Sequence, residues 1–84
     1  MFYLYILKSE KDGNMYVGST NDLKKRLSLH NSGKIPSTEL RKPFELIYYE
    51  SYKAEKDARK REHNLKLRSR AFAQLIKRIQ ESLK

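Results

Sequence analysis

The apolar positions along the chain fall into two kinds of pattern. Residues 2–7, FYLYIL, form an almost unbroken run rich in aromatic and β-branched side chains, and residues 14–18 follow the turn signal Asp12-Gly13. Together they predict an antiparallel hairpin. Residues 44–52, FELIYYESY, have the same composition and predict a third strand. Elsewhere the spacing changes to threes and fours. Leu23 and Leu27 repeat at helical spacing behind the capping side chains Thr20, Asn21 and Asp22, and Ser32-Gly33 ends that short helix. Residues 54–66 and 69–83 predict two further helices, the last with Phe72, Leu75, Ile76, Ile79 and Leu83 on one stripe. Residues 31–43 make a polar, basic loop, longer than a connection requires and free of the core. The order ββαβαα predicts an α+β fold, a three-stranded antiparallel sheet flanked by helices, in one domain over residues 1–84.

Strand alternation then fixes which side chains meet. A two-residue turn at Asp12-Gly13 pairs Lys11 with Asn14, so paired positions sum to an odd number, and lengthening the loop by an even count preserves this. Tyr3, Tyr5 and Leu7 therefore share a face with Tyr16 and Gly18. The two-residue turn would set Tyr5 and Tyr16 roughly 13 Å apart along the strands; a four-residue loop halves that offset and is the one expected. Arg26 and His30, four residues apart, share a face of the helix that follows. Ala54, Ala58, Glu62 and Leu65 follow one stripe of a later helix. A carboxylate in that stripe is costly to bury without a partner, which Lys66 or Arg59 could supply.

Charge gives these positions a context. Nineteen Lys and Arg against ten Asp and Glu leave a formal +9 on 84 residues, which points to a polyanionic partner, nucleic acid before an anionic membrane surface. A chain this short buries only about 60% of its unfolded surface, so a deep enclosed cavity is not expected. The absence of cysteine removes disulfides, thiolate metal sites and a thiol nucleophile. No apolar run approaches a membrane span or a signal-peptide core, and the reading is a soluble, cytoplasmic protein.

Taken in order, these residues resemble the GIY-YIG nuclease domain, in its small stand-alone bacterial form and in the nuclease domain of the excinuclease C subunit. Tyr3-Leu4-Tyr5 stands for the first tripeptide and Tyr16-Val17-Gly18 for the second; Arg26 and His30 match the helix motif, and Glu62 the metal-binding glutamate. Tyr3 replaces the first glycine. Ser19 stands where excision-repair members have lysine, and Thr20 and Lys24 replace it poorly. Some family members have a later asparagine; here Asn64 is too close to Glu62 and Gln74 lies nearer the expected distance.

The resemblance implies a metal-dependent endonuclease acting on DNA, with RNA not excluded. Tyr5 would be the general base, its phenol drawn toward ionisation by Arg26 and one ion. Tyr16 would orient the water, Arg26 grip the phosphate, His30 relay a proton, and Glu62 hold the ion, Mg²⁺ or Mn²⁺. Gly18 would serve as a structural turn. All five side chains are expected in one cleft on the sheet face. Lys24, Lys25, Lys34, Arg41, Lys42, Arg59, Lys60 and Arg61 are the candidate contacts to the nucleic-acid backbone, and the 31–43 loop is expected to fold over a bound strand. The alternative is a non-catalytic basic nucleic-acid-binding module on the same fold. A membrane-surface role for the last helix is the weakest reading, because its apolar stripe is needed to cover the sheet.

Overall fold

The computed structural model describes residues 1–66 and 70–84. Three strands, β1 (Phe2–Ser9), β2 (Met15–Thr20) and β3 (Phe44–Tyr52), form an antiparallel sheet in the order β2-β1-β3. The helices are α1 (Leu23–Asn31), α2 (Glu55–Lys66) and α3 (Arg70–Arg78), with single 3-10 turns at Glu39–Arg41 and Gln80–Leu83. The order is the predicted ββαβαα, and the class the predicted α+β.

β1 is central because it is apolar on both sides. Leu4 and Ile6 are fully buried under α2 and α3 with Val17, Leu65 and Leu75, whereas Tyr5 and Leu7 face the other way and pack with Phe44, Tyr16, Leu23 and Leu27. The sheet is thus covered on both faces, α1 taking the second. The hairpin register pairs Tyr5 with Gly18 and Leu7 with Tyr16, and Ser9 N–H donates to the Asn14 carbonyl at 2.9 Å. The loop is therefore the four-residue one, Gly13 taking φ 72° in it, and the two tyrosines are two positions apart along the ladder. α1 starts where Asp22 accepts the Lys25 N–H at 3.0 Å, an N-cap supported by Thr20 Oγ1 accepting the Asp22 N–H.

Two expectations change. The final helix stops at Arg78, and its last turn tightens to 3-10 geometry as Lys8 Nζ draws in the Leu83 carbonyl at 2.8 Å; its predicted start at Ser69 lies outside the described residues. The 31–43 loop is not free. Asn31 brackets Phe44 through both its amide atoms, Ser9 Oγ donates to the Arg41 carbonyl at 2.6 Å, Lys11 Nζ donates to the Leu40 carbonyl, and Thr38 is fully buried. Its anchors are polar, so apolar content alone gave no sign of them.

Candidate active site

Tyr5 and Tyr16 reach the α1-covered face because β1 and β2 alternate in register, and α1 sets Arg26 and His30 over them one turn apart. Arg26 Nε donates to the Tyr5 phenol oxygen at 3.4 Å, and that oxygen lies 2.9 Å from His30 Nε2. The other ring nitrogen, Nδ1, lies 2.8 Å from Thr38 Oγ1, whose own proton points to the Ile35 carbonyl at 3.4 Å. That last donation gives one consistent direction for the chain. Thr38 accepts from His30 Nδ1–H, His30 Nε2 keeps its lone pair, and Tyr5 donates to it while accepting from Arg26.

Burial, and secondarily the Arg26 charge, lowers the His30 pKa to about 4, so the ring is neutral at pH 7. Burial also raises the Tyr5 phenol above its ordinary value; the Arg26 hydrogen bond works downward but does not overcome burial together with the Tyr16 and Glu62 charges. Arg26 alone therefore does not draw the phenol toward ionisation; the expectation from sequence coupled Arg26 with an ion. Beside this chain, the Tyr16 ring is half-buried, 5.0 Å from the His30 ring and 6.4 Å from that of Tyr5.

The His30 shift carries a stability consequence. The unfolded ring titrates near 6.5 and the folded one near 4, so between those values the unfolded chain binds more protons. Stability contributed by the neutral ring should be complete above pH 6.5 and lost as pH falls to 4, by up to about 3 kcal/mol. Urea unfolding at pH 7 and pH 4.5 checks this. In His30→Gln, which cannot titrate, that part of the pH dependence should vanish.

Glu62 enters from the opposite side. α2 covers the Leu4 face, and Glu62 hydrogen-bonds to the edge strand, with Ser19 Oγ donating to Oε1 at 2.6 Å and Lys66 Nζ lying 2.7 Å from Oε2. Burial alone would raise this carboxyl, but Lys66 and Ser19 outweigh it and hold it below its ordinary value, hence ionised. Lys66 Nζ also sits 5.8 Å over the Tyr16 ring, and the Glu62 charge is felt at both Tyr5 and Arg26. A cleft of about 310 Å³ is lined by Arg26 of α1, Ser19 and Thr20 of β2, and Ala58 and Arg59 of α2. The five side chains are thus arranged around the edge of β2, not gathered in one cleft on a sheet face as expected. Gly18 makes the arrangement possible: a Cβ there would lie 2.6 Å from Tyr5 Cζ. Its role is to make room for the phenol, and its φ is not in the glycine-only region.

The basic residues divide. Lys24, Lys25, Lys34, Lys42, Arg59 and Lys60 are exposed, Arg59 with a loose 3.9 Å pairing to Glu55. Arg41 and Arg61 are engaged inside the fold, Arg41 with Asp12 at 2.8 Å and across the Phe44 ring, Arg61 with Glu50 at 3.0 Å. Glu50 also accepts from Tyr48 and Tyr52, so its carboxylate anchors Arg61 firmly. Both arginines are structural rather than free backbone contacts. Asn64 and Gln74 have exposed side chains on α2 and α3. Sequence reasoning missed Thr38, whose contact with His30 spans a loop and leaves no periodic trace; Lys66 was legible only as an i+4 partner of Glu62. No helix among the described residues is long and apolar enough to cross a membrane.

The family model of the GIY-YIG catalytic domain matches residues 1–77. The UPF0213 protein of Bacillus pumilus is 46% identical over 65 residues, which cover 76% of this chain and 65% of that protein. A UPF0213 protein of Staphylococcus epidermidis is 40% identical over 80 residues, 94% of each chain, and the UPF0213 protein YazA of Bacillus subtilis is 39% identical over 74 residues, 87% of this chain and 74% of its own. No solved structure matches.

Proposed function

Because the chain belongs to the GIY-YIG catalytic domain family, we propose that it is a metal-dependent endonuclease hydrolysing phosphodiester bonds in DNA. The observation that carries this reading is the hydrogen-bonded chain from Arg26 through the buried Tyr5 phenol to a neutral His30. A binding module has no use for a phenol that donates to a proton-accepting imidazole beneath an arginine.

Arg26 supplies a planar fork for the scissile phosphate at the mouth of the cleft. Two causes depress His30, burial and the Arg26 charge, and a bound phosphodiester offsets the second. Phosphate binding therefore makes His30 a better acceptor at the moment when a proton must leave the attacking water. In this scheme Tyr5 takes that proton while passing its own to His30 Nε2, so the phenolate, disfavoured by burial, never has to accumulate. Thr38 holds the ring in the tautomer that accepts at Nε2. Tyr16, packed on His30, positions the water.

The residue set fits one hard divalent ion. Among the described residues no three His, Cys, Asp or Glu side chains gather to enclose a metal, but Mg²⁺ keeps most of its waters and asks for one or two carboxylates plus the substrate phosphate. Glu62 is ionised, and its Oε2 already faces a cation, the Lys66 ammonium. Glu62 would thus hold Mg²⁺ or Mn²⁺, whose chemistry there is to neutralise charge on the departing oxygen.

Supercoiled plasmid tests the proposal. Nicking should require Mg²⁺ or Mn²⁺, and Arg26→Met should lower it by about 10²-fold while retaining the fold. Plasmid and single-stranded DNA that are both bound but left intact with either ion would identify the chain as a non-catalytic basic module.

A further inference from the structure

One aromatic residue has no part in the chain described above. Tyr49, on β3, is the cross-strand partner of Tyr5 and is 53% exposed. It shares the face of Tyr5, one strand spacing of about 4.8 Å away. α1 covers Tyr5, with Leu23 and Leu27 packed in the cluster of Tyr5, Leu7 and Phe44, but leaves the neighbouring Tyr49 open. Tyr49 is steadied by Tyr3, whose ring lies 5.9 Å away at 69°. An edge-to-face contact of this kind uses the edge of one ring and leaves flat aromatic surface open. Tyr3 is also the residue that stands where the family motif has glycine, so the buttress comes from a departure that the proposed chemistry does not use.

We propose that Tyr49, backed by Tyr3 and lying one strand from Tyr5, is a stacking platform for an unpaired nucleobase of the strand whose phosphate Arg26 holds, and that the substrate is single-stranded near the cut. The inference rests on the function proposed above and narrows its substrate. In a continuous duplex both faces of each base are already stacked on neighbours, so a ring fixed on a sheet face cannot reach one. An unpaired base can turn onto it, and because every base has a π-face the contact is tolerant of sequence. Charge complementarity favours the same occupant. The exposed Lys24 and Lys25 adjoin Arg26 on α1, and the chain carries +9, so the strand's phosphates have cations to follow while its bases face the rings.

Binding can be read without cleavage. In EDTA, a short single-stranded oligonucleotide carrying 2-aminopurine should bind with quenched fluorescence. Tyr49→Thr, which keeps strand propensity, should weaken that binding roughly tenfold and relieve the quenching, with Tyr49→Phe close to the parent and affinity for a blunt duplex unchanged. If Tyr49→Thr does not fold, Tyr49→Leu removes the ring and keeps apolar bulk. Equal single-strand affinity in parent and variant, or an equal loss on duplex, would overturn the platform and leave Tyr3 and Tyr49 as a sheet-stabilising pair. If the platform result holds but Mg²⁺ elicits cleavage of neither supercoiled plasmid nor the single-stranded oligonucleotide, the nuclease reading falls and the binding site stands. Nicking with no effect of Tyr49 does the reverse.

Discussion

Replacing Glu62 by glutamine should lower Mg²⁺-dependent nicking by about 10³-fold or more, while affinity for DNA in the absence of the ion changes by less than about twofold. The amide keeps the shape of the side chain and still accepts from Ser19, so α2 should stay seated on β2. What it loses is the charge. Hard divalent ions bind anionic oxygen, and with no cluster of three His, Cys, Asp or Glu side chains among the described residues, the proposed site depends on the Glu62 charge. Charge stabilisation by a metal amounts to several kcal/mol, and 10³-fold in rate corresponds to about 4 kcal/mol. Binding depends instead on distributed cations such as Lys24, Lys25 and Lys60, each releasing counterions from a phosphate. Parallel nicking assays and EDTA binding titrations make the comparison. A glutamine variant that still cuts with Mg²⁺ would remove Glu62 from the chemistry.

Gly18→Ala should be the most damaging single methyl in the protein. The added Cβ would sit 2.6 Å from Tyr5 Cζ, where ordinary contact needs at least about 3.4 Å. Tyr5 is 2% exposed and held by both Arg26 and His30, so it cannot move aside cheaply. Overpacking of this kind costs about 1–3 kcal/mol, and pushing the phenol off His30 breaks the donor chain as well. Thermal unfolding should show a drop of several degrees, with nicking reduced to background. The double variant Gly18→Ala/Tyr5→Leu separates the two losses. Leucine ends short of the clashing ring atoms, so stability should largely return while nicking does not, a non-additivity expected only if the two side chains occupy the same space. Additive losses of stability would place the damage elsewhere.

The frame of this protein is visible in its residues because the information is periodic and local. Alternation puts Tyr5 and Tyr16 on one face, since a hairpin loop can change by two residues without turning a side chain over. The i, i+4 spacing of Arg26 and His30 is equally local. What could not be read was direction around the edge of the sheet. Glu62 was legible as an anomaly in an apolar stripe, but whether α2 covered the Tyr5 face or the Leu4 face depends on how the whole chain packs. Thr38 was invisible for a similar reason. It lies in a segment whose order comes from polar contacts with Ser9, Lys11 and His30 rather than from an apolar pattern. Arg41 and Arg61 looked like free cations because a sequence shows charge but not the carboxylate across the fold that consumes it.

The Lys66 ammonium on Glu62 has a consequence for the protein at rest. It acts as a tethered counterion: without metal the carboxylate is already compensated, so folding need not wait for loading. Sites that build a domain around an ion couple metal loss to unfolding. Here, on the proposed function, a chelator would silence the chemistry without loosening the scaffold. An arriving ion must compete with an amine attached four residues away, which is always at hand and costs nothing to recruit. On that proposal such a site would load weakly from bulk solution. It would fill when phosphate oxygens add to the ligand set, so the hydrolytic machinery would be complete chiefly on the strand to be cut.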